Sequence, residues 1–368
     1  MRRLFLFMTT ISFLASCRNT QIGQLPEIVV DIDQTVTLPL SLITEEMTII
    51  KLELTDESIT SPERIKQILF FENYVIVVES HNILVFNKEG KFFHTIGSRG
   101  QGPGDYNTIR NVTIDEKDGN LYVLDSESKI LCFNLNGTLL KRTNQMQQNG
   151  FSIYDLKIIN DNLMLVVEQW RKDEKGGYKH SAIYIQNKDF QITDSCLIRD
   201  VGFEKNSILY HSYENYLFYD NLTIYLYYPD LYSVDANPEQ TVLRDTLYRF
   251  ENNQLIPELK LKFKNVGINT NGNKFIYLFN IYQSSRYVFA VYARNDNTYR
   301  YCFDTETKKG YNVLNDEFVD DINQIGELIR IRPLTMNTEM FYYLYTNMEP
   351  DELEEPNPTL YIGKLKNM

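Results

Sequence analysis

Cys17 is the residue whose neighbours prescribe a covalent reaction. It follows Leu14, Ala15 and Ser16, a match to the bacterial lipobox, in which small side chains admit a peptidase and the cysteine thiol accepts diacylglycerol. Upstream, Arg2 and Arg3 form a positive n-region. The apolar run from Leu4 to Ala15 is too short for a bilayer core, which takes about 20 apolar residues. The sequence therefore divides into a signal peptide at 1–16, a tether at 17–26 beginning with acylated Cys17, and a folded body at 27–368. Two or more acyl chains suffice for stable anchoring without a polybasic patch.

The glycine-rich stretch from Ile96 to Tyr106 (IGSRGQGPGDY) is the next candidate. It has no Gly-Lys-Ser/Thr, and NTIRNVTID behind it reads as a strand, so it is not a phosphate-binding loop at a helix N-terminus. Its glycines are expected to shape a crossing between structural units. Arg99, Gln101 and Tyr106 are the candidate ligand-binding residues, and the fixed fork of Arg99 suits a carboxylate or sulfate. The four histidines, His81, His94, His180 and His211, form no HExxH motif or close ligand pair. No GxSxG elbow occurs, and no catalytic set is nominated. Asp31 and Asp33 would share one side of a strand. That placement permits calcium, yet two carboxylates fall short of its six to eight oxygens, so a solvated strand face is expected there and no cofactor.

The elements that position these residues are strands. Short apolar segments end in Asn, Asp or Gly, and Tyr and Phe number 26 and 21. The piece from Asn73 to Phe93 runs strand, turn, strand, Asn87-Lys88-Glu89-Gly90, strand. It recurs 47 residues later from Asn120 to Leu140, around Asn134-Leu135-Asn136-Gly137. Looser copies place strands before Asn187-Lys188-Asp189, Glu251-Asn252-Asn253 and Asp304-Thr305-Glu306-Thr307. Intervals of about 50 to 65 residues with several strands each predict a six-bladed β-propeller of four-stranded antiparallel blades. The segments from Glu27 to Asp33 and from Thr359 to Lys366 are expected to close the last blade together, leaving no open edge.

Cleavage after Ser16 leaves 35 basic against 49 acidic residues, formally −14. Such a chain repels phosphate backbones, which excludes nucleic acid as an expected partner. Cys132, Cys196 and Cys302 lie among apolar neighbours at wide spacing and read as buried thiols. Tyrosines crowd 213–232, with Trp170 before a charged loop; blade packing accounts for most of them, and exposed rings suit sugar or peptide contacts.

The glycine-rich stretch is similar to the "IG..GqGPGEY" loop of the six-bladed β-propeller lipoproteins of Bacteroidota, distant relatives of NHL-repeat propellers. Asp105 stands where that family often has Glu. Arg244-Asp245-Thr246-Leu247-Tyr248 resembles its "DTvY" strand, and Asn357-Pro358 with Lys364-Leu365-Lys366 resembles its ending. The resemblance spans nearly the whole body and implies the fold, not a reaction. Arg18 to Gly23 carry no acidic run like that group's surface-export tag, which favours the periplasmic face of the outer membrane. The expected function is a membrane-anchored envelope binding or scaffold propeller for a protein, peptide or glycan. The alternative is a lyase or hydrolase acting on a polysaccharide or small ester at the channel mouth.

Overall fold

The computed structural model describes residues 25–143, 151–172, 176–204, 208–210, 215–220, 222–229, 231–233, 245–266, 276–294, 297–347 and 355–368. The expected signal peptide, Cys17, His211, Tyr213, Arg244, Asp351, Glu352 and Glu354 lie outside them, as does the side chain of Tyr232. Six antiparallel blades follow one another at 65–95, 109–143, 151–204, 217–264, 276–314 and 332–365, numbered 1 to 6. The propeller expected from the repeats is the fold.

Each repeat turn in the sequence is the outer hairpin of a blade. Gly90 (φ +85°) and Gly137 (φ +80°) take the left-handed position that closes the first two. Asn87 Oδ1 accepts from the amides of Glu89 and Lys91 at 3.1 and 2.8 Å, an Asx turn that fixes the loop. In blade 3 the equivalent position is Phe190, held at φ +63°. Its ring is buried and meets Tyr122 of blade 2 edge-on at 6.3 Å, so contact with the neighbouring blade offsets the backbone cost.

The core lies between blades. One apolar cluster joins Ile76, Val78 and Val85 of blade 1 to Val112, Val123 and Phe133 of blade 2. Others join blades 6 and 1, 2 and 3, and 3 and 4, and the largest spans blades 4 to 6. Each blade buries both faces, so its central strands read as continuous apolar runs such as Tyr74–Glu79 and Leu121–Asp125.

Ring closure differs from the sequence expectation. Glu27–Asp31 does not join the last blade. It pairs in parallel with Gln254–Lys264 as a fifth, outer strand of blade 4, Glu27 opposite Lys260 and Asp31 opposite Lys264. The chain then runs along the rim, bridging Val36 to Val313 and Pro39 to Val319, before Thr44–Lys51 pairs with Thr359–Leu365 and completes blade 6. Ile28, Val30, Ile32, Leu38, Leu40 and Ile43 are all buried along this belt. Two segments compete for the role by pattern alone, and the apolar positions of the first match the rim of blade 4.

The Asp31 and Asp33 pair is likewise corrected. The strand ends at Asp31, and the Asp33 carboxylate accepts from Asn265 at 2.7 Å and Arg294 at 3.1 Å. These partners hold its pKa below the ordinary carboxylate value, Asn265 first and then Arg294. It staples the belt to blades 4 and 5.

Candidate functional site

The first strand of each blade is innermost, and these six strands surround the axis. At one mouth they enclose a cavity of about 710 Å³ to which every blade contributes, within the range of ordinary small-ligand clefts. Ile65-Lys66, Ile109-Arg110 and Ile331-Arg332 occupy matching positions at the entry of the inner strands of blades 1, 2 and 6. Arg332 donates to the Ile65 carbonyl at 2.6 Å, Lys66 to that of Ile109 at 3.3 Å, and Arg110 to that of Ile153 at 2.7 Å. Each cation therefore reaches one blade onward, to the carbonyl beside the matching position.

No carboxylate lies within ion-pair distance of Lys66, Arg110 or Arg332 among the described residues. Two further lining arginines are compensated: Arg300 by Asp316, which accepts from Nε and, at 2.8 Å, from Nη2, and Arg330 by Glu317 at 3.3 Å. Asp316 is the one carboxylate among the described lining residues. Burial, and then the charge of Arg110, lower the pKa of Lys66 from the ordinary lysine value. Arg110 also lies over the Tyr154 ring, 5.0 Å from its centre, a favourable contact that leaves its charge unneutralised.

Amide side chains form the deeper polar surface. Gln67 donates to the Val112 carbonyl at 2.8 Å and accepts from the Val112 amide at 3.2 Å, fastening blade 1 to blade 2. Asn111 donates to Asn215 Oδ1 at 2.9 Å, and Asn280 to the Asn215 carbonyl at 3.1 Å. Behind them Asp155 and Lys157, both buried, are paired at 3.0 Å. Thr335, also lining the cavity, is buried with no hydrogen-bond partner for its hydroxyl among the described residues.

Arg99, Gln101 and Tyr106 are not among the lining residues. Tyr106 is buried in the core between blades 1 and 2, its hydroxyl donating to the Ile96 carbonyl at 3.0 Å. A ligand-facing Tyr106 is thus corrected: a Cβ on Gly97 (φ +65°) would meet its ring at 2.7 Å, so that glycine makes room for it. Arg99 and Gln101 stay on the exposed loop. Asp105 organises that loop by accepting from Ser98 and the Gly102 amide, both at 2.7 Å. Its carboxylate occupies the space a Cβ on Gly100 or Gly102 would need. The stretch is an inter-blade crossing, as its glycines imply.

The remaining sequence candidates are dispersed. His94 contacts the Leu135 carbonyl at 2.6 Å, His180 pairs with Asp200 at 2.7 Å, and His81 lies 3.5 Å from Thr108. No group of three His, Cys, Asp or Glu side chains arranged to hold a metal occurs among the described residues. Of the aromatic cluster, Tyr216, Phe218, Tyr225, Tyr227 and Tyr228 are buried in the blade packing, and Phe218 also lines the cavity. Sequence reasoning missed the cationic mouth and the buried Glu168–Lys179 pair at 3.2 Å, which Tyr228 joins through its hydroxyl. A signal was present for the mouth: Lys66 and Arg110 each follow an isoleucine and stand 44 residues apart, near the repeat interval.

A family profile described as a domain of unknown function, DUF4934, matches residues 25–368. The chain belongs to the DUF4934 family. Among solved structures, this DUF4934 propeller is similar to a putative exported protein of Bacteroides fragilis NCTC 9343. That likeness has a TM-score of 0.66 and 18% identity, covering 93% of this chain and 100% of the other, and it concerns the fold. The WD40 domain of Neurospora crassa Pan2 gives a TM-score of 0.41 at 12% identity, over 83% of this chain and 76% of that one. A 94-residue stretch is 34% identical to the methionine import ATP-binding protein MetN of Clostridium tetani, covering 26% of this chain and 29% of that protein. The chain thus spans under a third of that relative, and its own sequence contains no Gly-Lys-Ser/Thr phosphate loop.

Proposed function

We propose that this DUF4934 chain is an exported binding propeller, held at a bacterial envelope membrane through acylated Cys17, that engages a protein, peptide or glycan at its axial mouth. The observation that carries the reading is the axial cavity of about 710 Å³, built from all six blades and lined by polar and apolar groups together. Such a mixed, preformed concavity is what recognition of a partner needs. The lipobox supports export and anchoring, as does the printed description of the Bacteroides fragilis protein as putatively exported. Kinship with NHL-repeat propellers and a periplasmic orientation belong to the same reading. No helix among the described residues is long and apolar enough to cross a membrane.

The test is affinity capture of the intact lipoprotein from gently solubilised native envelopes, with mass spectrometry of proteins and attached glycans. A reproducible partner, lost when cavity residues such as Asn215 and Thr335 are replaced by bulkier side chains, is the expected result. A partner retained by those variants, or turnover of envelope glycans by the purified propeller, would count against it. Replacing Cys17 with Ser should abolish fatty-acid labelling and release the protein from the membrane fraction.

A further inference from the structure

The chain as a whole is strongly acidic, yet three cations with no carboxylate partner among the described residues converge at its mouth. Lys66, Arg110 and Arg332 come from three consecutive blades, so the positive charge occupies one side of the ring. Each spends one donor on a backbone carbonyl, and Arg332 also hydrogen-bonds the Tyr342 hydroxyl. An ammonium has three donors and a guanidinium five, so most of their hydrogen-bonding capacity is uncommitted. Like charges held together are unfavourable, and the pKa of Lys66 is lowered by its burial first and by the charge of Arg110 second. A bound anion relieves that repulsion. The Thr335 hydroxyl in the same cavity has no hydrogen-bond partner among the described residues.

Size and charge restrict the anion. The formal net charge of −12 repels a long polyanion trailing over the outer surface. Exposed charges are screened beyond about 8 Å at physiological salt, whereas a group inside the cavity feels the three cations directly. A compact ligand is therefore favoured over a polymer. On the far side, blades 4 and 5 contribute Phe218 and Tyr282 to the lining, stacked with ring centres 5.3 Å apart. Arg300, paired with Asp316, lies over the Tyr282 ring 5.9 Å from its centre, so this side offers aromatic surface and no net charge to the organic body of a ligand.

From this juxtaposition we infer that the axial cavity takes a compact organic anion with two or three carboxylate, sulfate or phosphate groups, its acidic groups on Lys66, Arg110 and Arg332. The inference rests on the reading of the mouth as the binding site and names the chemistry it recognises. Guanidinium forks pair with planar or tetrahedral oxyanions in two-point fashion. Acidic end groups of a glycan or peptide and a free organic acid share this chemistry.

The experiment is calorimetric titration of the mature lipoprotein in detergent with a galacturonate dimer, citrate, inorganic sulfate and a neutral galactose dimer. The galacturonate dimer or citrate should bind at least tenfold tighter than sulfate or the neutral dimer. Lys66→Gln, Arg110→Gln and Arg332→Gln should each weaken that binding about tenfold, with unchanged circular dichroism. Raised salt should weaken binding to the unmodified protein, a readout that needs no variant. Binding of citrate to one arm but not the sugar acid would assign a free organic acid, and the reverse an acidic glycan end. Equal binding of the neutral dimer, preference for bare sulfate, absence of any acidic ligand among the probes, or affinity unmoved by salt and by all three variants would each overturn the inference. Envelope capture that persists while the acidic probes fail would overturn it and leave the broader binding reading standing.

Discussion

Replacing Asp155 with Ala should destabilise the propeller by about 3–5 kcal/mol, the cost of breaking a buried ion pair by removing one partner. Asp155 is fully buried on the inner strand of blade 3 and accepts four hydrogen bonds. Its own-strand partners are the Leu156 amide at 2.8 Å and Lys157 Nζ at 3.0 Å. The other two are the amides of Tyr216 and Leu217, each at 2.8 Å, where blade 4 begins. Bonds to a charged acceptor contribute about 1.5–3 kcal/mol apiece, and they are not additive within one cluster. The substitution strands the buried Lys157 ammonium, whose other contacts are the amide oxygens of Asn111 and Asn215, both at 3.5 Å. Adding Lys157→Met removes that stranded charge and should restore about 2 kcal/mol, because replacing both partners costs less than orphaning one. Urea unfolding followed by the fluorescence of Trp170, the single tryptophan and a resident of blade 3, reads these differences. A loss below about 1 kcal/mol for Asp155→Ala, or no recovery in the double variant, would refute the reasoning.

Further outcomes follow from the same geometry. Anion affinity should fall as pH rises through the lowered pKa of Lys66, before the ordinary lysine value is reached, and Lys66→Arg should keep the affinity. The sign for stability is opposite: Lys66 penalises the fold while charged, and the penalty fades as pH climbs through its lowered pKa toward 10.5, measurable as a rising melting temperature in ligand-free protein. Gly363→Ala should cost about 1–3 kcal/mol in urea unfolding, since its Cβ would meet the buried Phe341 ring at 2.1 Å within the closing blade. A chain beginning at residue 34 should still form the ring with a lower melting temperature, having lost Ile28, Val30 and Ile32 from the core. One beginning at 52 should aggregate, because blade 6 loses its closing strand. Cys302 should resist alkylation in the native protein and react on unfolding, since burial pushes its thiol pKa well up.

Much of the fold was legible because blade hairpins are local. Asn87 to Gly90 and Asn134 to Gly137 announce turns by residue type, and the apolar runs beside them announce strands buried on both faces. The inter-blade role of the glycine-rich crossing was legible for the same reason: Gly97, Gly100 and Gly102 have no Cβ where Tyr106 and Asp105 must sit. The ligand assignment to that loop was a different kind of inference. Tyr106 looks identical in sequence whether its ring faces a channel or a core, and only packing against blade 2 distinguishes them.

By itself, then, the sequence determined the all-β character, the repeat that makes six blades and the acidic body, because each depends on composition or on neighbours a few residues apart. The tertiary structure decided which N-terminal segment closes the ring, since Glu27–Asp31 and Thr44–Lys51 are both competent strands and only the rim of blade 4 and the edge of blade 6 tell them apart. It also decided the site. Arg332 is distant in sequence from Lys66 and Arg110, and nothing local says that they share a mouth. Closure of the ring sets blade 6 beside blade 1, and three ordinary surface-type cations become one electrostatic feature.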